Sequence, residues 1–197
     1  SFSGSVTGGY TGGIAGGLNS NNVTISGCAN LAVVTGTTAG GILGYWKNTA
    51  AIRDCYNTGS VTGSAKAGGI VGQLQKGSIE NCYSTGDIGG KASQKGGIFA
   101  VSNAAVKNCY YTLPEAETLG GTAAAATQIT SPDGLADKLG SSFKEDTAGA
   151  NKGYPILVWQ AGEVVQPDPR IELTGPDTLW RTANEPQPQA TIAAACK

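Results

Sequence analysis

Apolar β-branched residues recur at a fixed interval over residues 1–112 of the chain. Ile25, Ile52, Ile79 and Val106 recur with a period of 27, and Gly-Gly-Ile triplets recur with a period of 28 from residue 12 to residue 98. Short β-branched segments such as "SVTG", "GGIVG" and "GSIENCY", which lie between glycine-rich turns, favour strand over helix. The pattern predicts three short strands in each repeat.

Repeats of this kind, stacked in register, predict an all-β chain that forms a parallel β-helix, or β-solenoid. We expect about four coils of 27–28 residues over residues 1–112, each about 4.8 Å above the last. Of the 31 glycines, 23 lie in this region, where they supply corners and let neighbouring coils approach closely. We expect the drift between the two periods to be absorbed in loops.

The composition changes abruptly after residue 112. All eight prolines lie beyond it, and the formal net charge changes from +4 over residues 1–112 to −5 over residues 113–197. Residues 113–160 are predicted to cap the C-terminal end of the solenoid. Residues 161–197 are predicted to be a Pro-rich linker and the first strands of a truncated immunoglobulin-like module. The alternative is that residues 186–197 dock as a strand on a neighbouring subunit.

The predicted cap contains one helix and one strand. Ser131 is a candidate N-cap and is followed by Pro132 at the first helical position, which predicts a helix of two to three turns ending at Gly140. Residues 154–159, "YPILVW", form an apolar run that predicts a strand. We expect this helix and strand to cover the open end of the last coil.

Four cysteines share the repeat and define the cysteine column: Cys28, Cys55, Cys82 and Cys109. A thiol is small and apolar, so the column is interpreted as a buried structural ladder in the core. Disulfides between adjacent coils stay open as an alternative, because the coil spacing falls within the usual Cα–Cα range of a disulfide. A metal site is the third reading, but the column lacks Cys-x-x-Cys pairs, and we predict no metal.

The residues directly before the column cysteines are Gly27, Asp54, Asn81 and Asn108. Short polar side chains at that spacing predict a ladder of side chains at one corner of the coils. One position earlier, the charge alternates from Arg53 to Glu80 to Lys107, which favours stacking in register.

Tyrosines follow three of the cysteines and define the tyrosine column: Tyr56, Tyr83 and Tyr110. Successive strand residues face opposite sides, so we expect these rings outside if the cysteines lie inside. Together with Tyr45 and Trp46 they are the candidate ligand-binding residues, because exposed rings stack on sugars. The alternative is an aromatic ladder that stiffens the coil face.

The runs "GGIAG", "GGILG", "GGIVG" and "GGIFA", followed by "SGCAN", "RDCYN", "ENCYS" and "KNCYY", resemble the GLUG repeat. That repeat is found in large bacterial surface proteins, especially of Gram-positive anaerobes, and in non-catalytic parts of some immunoglobulin A metallopeptidases. The resemblance covers about residues 1–112, and Ala29 and Ala100 depart from it. It implies an extracellular chain on the bacterial cell surface, and it identifies a scaffold rather than a chemistry.

Several functions are disfavoured by composition. The chain has no histidine, which removes imidazole bases and Ser-His-Asp triads, and its net charge of −1 gives no field for nucleic acid. No apolar run reaches the length of a membrane span. We therefore predict no enzyme and no cofactor, but a structural or adhesive segment, a rigid spacer or stalk. Host or matrix glycans and proteins are its candidate partners.

Overall fold

The computed structural model describes residues 4–18, 20, 22–112 and 126–160. Over residues 4–112 the chain winds as a parallel β-solenoid of about four coils, which confirms the predicted fold class. Very little helix is present in the described ranges, with one short α-helix in the C-terminal part.

Each coil contributes strands to the same sides of the solenoid. Coil 1 contains β1 (Ser5–Gly12), β2 (Ala15–Leu18), β3 (Val23–Ser26) and β4 (Ala29–Asn30). Coil 2 contains β5 (Val33–Gly40), β6 (Leu43–Arg53) and β7 (Tyr56–Asn57). Coil 3 contains β8 (Val61–Gly68) and β9 (Val71–Ser84). Coil 4 contains β10 (Ile88–Gly89), β11 (Gln94–Gly96), β12 (Phe99–Ser102) and β13 (Ala105–Tyr111).

The strands stack into two parallel sheets. One has the order β1-β5-β8-β10, with β11 also on β8. In the other, β2 and β3 pair with β6, β6 pairs with β9, and β12 and β13 pair with β9. The predicted second and third strands of coil 3 are continuous in β9.

Both periods of the sequence, 27 and 28, are present in the strand register. Gly12 pairs with Gly40, an offset of 28, whereas Ile52 pairs with Ile79, an offset of 27. The register shifts inside the β5–β8 and β6–β9 pairings, at Gly36/Thr38 and Trp46/Thr49. The expectation that loops absorb the drift is therefore wrong between coils 2 and 3, because the extra residue is accommodated as a bulge within paired strands. Between coils 1 and 2 the offset changes from 28 to 27 in the segment that joins β2 to β3, as expected.

Aliphatic side chains fill the space between the sheets. Ile42, Leu43, Ile52, Ile70 and Ile79 are fully buried in one core cluster that runs through the coils. The Gly-Gly-Ile corners explain the requirement for glycine, because a Cβ atom on Gly69 would lie 2.0 Å from the carbonyl oxygen of Gly97 in the next coil. The close stacking of corners is therefore incompatible with a side chain there.

The C-terminal part of the described chain contains β14 (Ala126–Gln128), α1 (Leu135–Leu139), β15 (Phe143–Lys144), β16 (Ile156–Leu157) and a 3₁₀ helix (Val158–Gln160). Strand β14 pairs with β13 and extends the sheet beyond coil 4. Residues 131–160, here called the strap, fold around the antiparallel pair β15–β16. The predicted helix exists, but it has only five residues and begins after Gly134.

The strap packs on the outer side of the solenoid, whereas β14 is the described part of residues 113–160 that pairs with the last coil. The expectation that residues 113–160 cap the C-terminal end stays a prediction. Leu135, Leu139, Phe143 and Leu157 pack on the outer side of the solenoid, and Trp159 reaches coil 1, where its Nε1 donates to the carbonyl oxygen of Gly27 at 3.0 Å. The physical reason is the apolar surface available there, which the strap covers with its own apolar residues. Residues 161–197, including the predicted linker and strands, lie outside the described residues.

Candidate functional site

The cysteine column runs through the core. Its four members are buried and are thiols rather than disulfides. Each Sγ lies against a backbone carbonyl oxygen of its own coil. The thiols of Cys55, Cys82 and Cys109 also lie near a carbonyl oxygen of the preceding coil. Cys82 Sγ donates to the carbonyl oxygen of Glu80 at 3.1 Å and approaches that of Ile52 at 3.9 Å. Burial, and then the neighbouring thiols, raise the pKa of Cys82 well above its usual value. A protonated, buried thiol such as Cys82 is a poor nucleophile. The burial of all four side chains gives the column its packing role.

The expected exposure of the tyrosine column is wrong for Tyr56 and Tyr83. These rings are 1% and 0% exposed, and they stack on each other with centroids 5.0 Å apart and planes 7° from parallel. They do face outward from the coil, but Phe143 and Leu157 of the strap cover them. Tyr110 is half-buried at the margin of the same cluster.

The hydroxyl groups of both buried tyrosines bond to the strap. The Tyr56 hydroxyl and the Gln160 side chain are joined at 2.8 to 3.0 Å. The Tyr83 hydroxyl donates to the carbonyl oxygen of Pro155 and accepts from Asn151 Nδ2 at 2.7 Å. Burial raises the pKa of Tyr56 and raises that of Tyr83 well above its usual value. The tyrosine column is thus the attachment site of the strap.

A carboxylate organises the turn that presents Asn151. Asp146 accepts hydrogen bonds from the backbone N–H groups of Ala150, Asn151 and Gly153 at 2.9, 2.6 and 3.1 Å. Desolvation acts to raise the pKa of Asp146, but these backbone donors outweigh it and hold the pKa below its usual value. The side chain is therefore a structural clamp for the turn.

Tyr45 and Trp46, the other candidate ligand-binding residues, face opposite ways. Trp46 is 1% exposed and lies in the core, in register with Leu74, because the strand alternation points it inward. The expectation that Trp46 is an exposed ring is therefore wrong. Tyr45 is half-buried and stacks on Tyr10 with centroids 4.7 Å apart. Tyr10, which the sequence reasoning missed, is 58% exposed.

A buried polar ladder lies two residues after the cysteine column, at Asn30, Asn57 and Ser84. Asn30 Nδ2 donates to Asn57 Oδ1 at 2.7 Å, and Asn57 Nδ2 approaches Ser84 Oγ at 3.3 Å. Asn57 also bonds both backbone groups of Gly59, at 2.8 and 3.2 Å. The ladder satisfies a tight turn and ties it to the neighbouring coils. Asn30, Asn57 and Ser84 are spaced 27 positions apart, and this spacing is the sequence signal from which the ladder could have been predicted.

The predicted corner ladder is present one residue before the cysteine column. Asn81 Nδ2 donates to Asp54 Oδ1, and Asn108 Nδ2 donates to Asn81 Oδ1, both at 3.1 Å. The backbone at this corner is left-handed, with φ between 49° and 63° at Gly27, Asp54, Asn81 and Asn108. Asn, Asp and Gly are the residues that adopt this conformation at least cost, which explains the column.

A small cleft lies on the described part of the strap. A cleft of about 190 Å³ on the strap, lined by residues such as Asp133, Glu145 and Asp146, is smaller than the roughly 300–1,000 Å³ of typical ligand sites. Within residues 4–18, 20, 22–112 and 126–160, no group of three or more His, Cys, Asp or Glu side chains is placed to hold a metal ion. In the same ranges no helix has the length and apolar character needed to cross a membrane.

Comparison with known proteins gives one finding, which falls mainly on coil 3. No curated protein and no solved structure shows a significant match to the chain. A family model described as the GLUG motif matches residues 63–89, which include most of β8, all of β9 and the turn that follows. The match supports the interpretation of these coils as a GLUG-repeat region, a structural and non-enzymatic kind of fold.

Proposed function

We propose that this chain is a structural, non-catalytic module of a secreted bacterial surface protein, and that it holds a rigid β-solenoid out to one side of the chain. The observation that carries the proposal is the use of the repeated columns. The cysteine column, the buried asparagine ladder and the tyrosine column are each engaged in packing or hydrogen bonding between coils or with the strap. Residues in these positions build a scaffold.

The path of the chain favours a projecting module over a spacer in line with the chain. Strand β1 starts at coil 1, and the strap returns from coil 4 to the same end, where Trp159 bonds to Gly27 and Gln160 bonds to Tyr56. The described chain therefore enters and leaves near one end of the solenoid. A spacer would have its two ends at opposite ends of the coil stack.

Catalysis has little support from the carboxylates of the solenoid. Asp54 is bonded to Asn81 in the corner ladder, and Glu80 lies in register between Arg53 and Lys107 on the neighbouring strands. A glycosidase or lyase needs two carboxylates that converge on a groove. The described carboxylates of the coils instead occupy separate columns of side chains.

Surface display is tested on intact cells that produce the parent protein. Antibodies raised against the recombinant chain are expected to label intact cells, and brief protease treatment of those cells is expected to remove the label. Antibodies to a cytoplasmic protein of the same cells serve as the control and should label only permeabilised cells. Labelling by both antibodies only after permeabilisation would reject the surface proposal.

Glycan recognition is a second candidate, and the stacked pair Tyr10–Tyr45 favours it. Tyr10 is the most exposed large ring in the described solenoid, and one of its faces is already supported by Tyr45. Such a supported ring offers a flat apolar surface for a sugar. A glycan array should show binding that Tyr10→Ala abolishes and that Tyr110→Ala retains. No binding by a folded chain would reject this candidate.

A further inference from the structure

The cysteine column places four thiols in one line through the core, at the spacing of the coils. Cys82 and Cys109 are register partners on β9 and β13. The residues on both sides of Cys28, Cys55 and Cys82 are paired with the same offset of 27, so these thiols lie in line as well. Neighbouring strands are about 4.8 Å apart, which falls within the usual range of about 4.4–6.8 Å between the Cα atoms of a disulfide.

The sulfur atoms of neighbouring coils also interact directly. The Cys55 thiol interacts with the thiols of Cys28 and Cys82, and the Cys82 thiol interacts in addition with that of Cys109. The structure describes the column in its reduced form. A bond between neighbouring sulfur atoms therefore requires no other side chain to move from between them.

The column contains four thiols and is bounded at both ends. The sequence has Ser1 at the position 27 residues before Cys28, and the register partner of Cys109 on β14 is Ala126. A bond between the two middle thiols would leave the outer two without a neighbour to pair with. Pairing from the ends uses all four thiols, because it joins the first to the second and the third to the fourth.

Each of these end pairs contains one thiol with a lowered pKa. Burial acts to raise the pKa of Cys55, but hydrogen bonds with Cys28 and then with Cys82 hold it well below its usual value. The hydrogen bond with Cys82 lowers the pKa of Cys109, although burial opposes it. The thiolate is the form that attacks a disulfide, so each pair has its own attacking group.

We propose that the cysteine column is an oxidation site, which thiol–disulfide exchange with a small disulfide such as oxidised glutathione converts to the disulfides Cys28–Cys55 and Cys82–Cys109. One cysteine thiolate of a pair attacks the oxidant, forms a mixed disulfide and displaces one glutathione thiolate. The second cysteine attacks the mixed disulfide and displaces the other. The two cysteine protons pass to the released thiolates, so one glutathione disulfide is reduced for each pair oxidised.

Oxidation of the column has a definite structural consequence. Because the folded column is buried, the exchange takes place while neighbouring coils are open, during folding or local opening. Each disulfide then joins two adjacent coils and closes a loop of the chain between them. The cross-links restrict the unfolded chain and so stabilise the folded solenoid.

The inference rests on the proposed function only for the compartment. A bacterial cell surface is an environment in which disulfides persist. The exchange itself is measured on the purified chain in a glutathione buffer, where location plays no part. Failure of the exchange would overturn this inference and leave the surface proposal untouched, whereas failure of the cell-labelling experiment would leave the measured exchange untouched.

Peptide mapping after oxidative refolding tests the proposal. The full chain carrying Cys196→Ser, which removes the fifth thiol, is unfolded in urea, refolded in oxidised and reduced glutathione, alkylated and digested with trypsin. Lysine and arginine residues separate the four column cysteines, so each lies on its own tryptic peptide. Mass spectrometry should find the Cys28–Cys55 and Cys82–Cys109 links. Free thiols, glutathione adducts alone, or a Cys55–Cys82 link would overturn the proposal.

Two matched variants in the same background test the pairing. Cys82→Ala should retain the Cys28–Cys55 link and leave Cys109 free, and Cys28→Ala should retain the Cys82–Cys109 link and leave Cys55 free. Circular dichroism checks that both variants fold. Loss of both links in either folded variant would overturn the assignment of two independent pairs.

Urea denaturation measures the effect on the solenoid. The oxidised chain carrying Cys196→Ser should unfold at a urea midpoint higher by about 1 M or more than the same chain in dithiothreitol. Reduction of the oxidised chain should return the midpoint to the lower value. An oxidised chain with both links and an unchanged or lower midpoint would overturn the stabilising role.

Discussion

The cysteine and tyrosine columns lie next to each other on the same strands, yet they are buried for different reasons. Cys82 faces inward and is enclosed by the coils themselves. Tyr83 faces outward and is enclosed by the strap, which contributes Phe143 and Leu157. Strand alternation therefore gives the direction of a side chain correctly, but it does not give its exposure when another segment of the chain packs on the outer face.

This difference makes the tyrosine column the place where the strap and the solenoid stabilise each other. The cysteine column depends on neighbouring coils alone, whereas the tyrosine column depends on contacts between residues far apart in sequence. The Asn151–Tyr83 bond joins residues 68 positions apart, and the Trp159–Gly27 bond joins residues 132 positions apart. Substitutions in the two columns should therefore have different structural consequences.

The largest loss of stability is expected from a substitution in the tyrosine column. Tyr83→Ala removes a buried ring, its stack on Tyr56 and its bonds to the strap, and should lower the free energy of unfolding by about 3–5 kcal/mol. Urea denaturation measures the loss, and hydrogen exchange should show β15 and β16 losing protection first. The matched control Tyr10→Ala, at an exposed ring, should cost about 1 kcal/mol. Equal losses would contradict the comparison.

The next largest loss of stability is expected for Asn57, an inward-facing polar residue that follows Tyr56 of the tyrosine column. Asn57→Ala leaves buried groups of Gly59 and Asn30 without partners and should cost about 3 kcal/mol. The control is Asn81→Gly in the corner ladder, where φ is 51° and glycine is tolerated, with an expected cost of about 0.5 kcal/mol. Thermal denaturation compares them. A larger loss of stability for Asn81→Gly than for Asn57→Ala would mean that the corner ladder, and not the buried polar ladder, contributes more to stability.

A smaller effect is expected in the cysteine column. Cys82→Ala removes one buried sulfur atom from a packed core and should cost about 1–2 kcal/mol, without changing hydrogen exchange in the strap. Alkylation followed by peptide mass spectrometry should show that Cys82 reacts only when the protein unfolds. Rapid alkylation of Cys82 in the native state would show that the column is accessible.

The smallest effect is the dependence of stability on alkaline pH. Burial raises the pKa of Tyr83 in the folded state above that of an unfolded tyrosine, which is about 10. The contribution of Tyr83 to stability is therefore complete below the unfolded pKa, and it is lost as the pH rises through the folded-state pKa. Tyr83→Phe should therefore show a shallower loss between about pH 9 and pH 11. Urea midpoints across that range measure it. Parallel curves for the wild type and Tyr83→Phe would contradict this assignment.

The periodicity of the sequence was sufficient to predict the solenoid. The cysteine period of 27 and the Gly-Gly-Ile period of 28 are both present in the strand register, and the corner ladder at Asp54, Asn81 and Asn108 follows from the same columns. These features are predictable because each coil contacts only its neighbours, so spacing along the chain becomes position in space.

The strap and the exposure of the aromatic rings could not be predicted in the same way. The strap has no repeat, and the residues it covers are separated from it by dozens of positions, so spacing carries no information about their contact. Trp46 is a different case, because it directly follows Tyr45 on strand β6. Successive strand residues face opposite sides, so the sequence was sufficient to show that Trp46 faces the core if Tyr45 faces outward. The GLUG-type pattern likewise describes a scaffold, and the ligand and cellular location stay predictions.

The return of the strap to coil 1 determines how the module responds to a mechanical load. Tension applied between residue 4 and residue 160 acts near one end of the solenoid and is not directed along the solenoid axis. The stack of four coils has three coil spacings and is about 14 Å long. The hydrogen bonds of Gln160, then Trp159 and then Asn151 are loaded one after another. The strap should therefore yield before the coils, uncovering Tyr56 and Tyr83 while the solenoid stays folded.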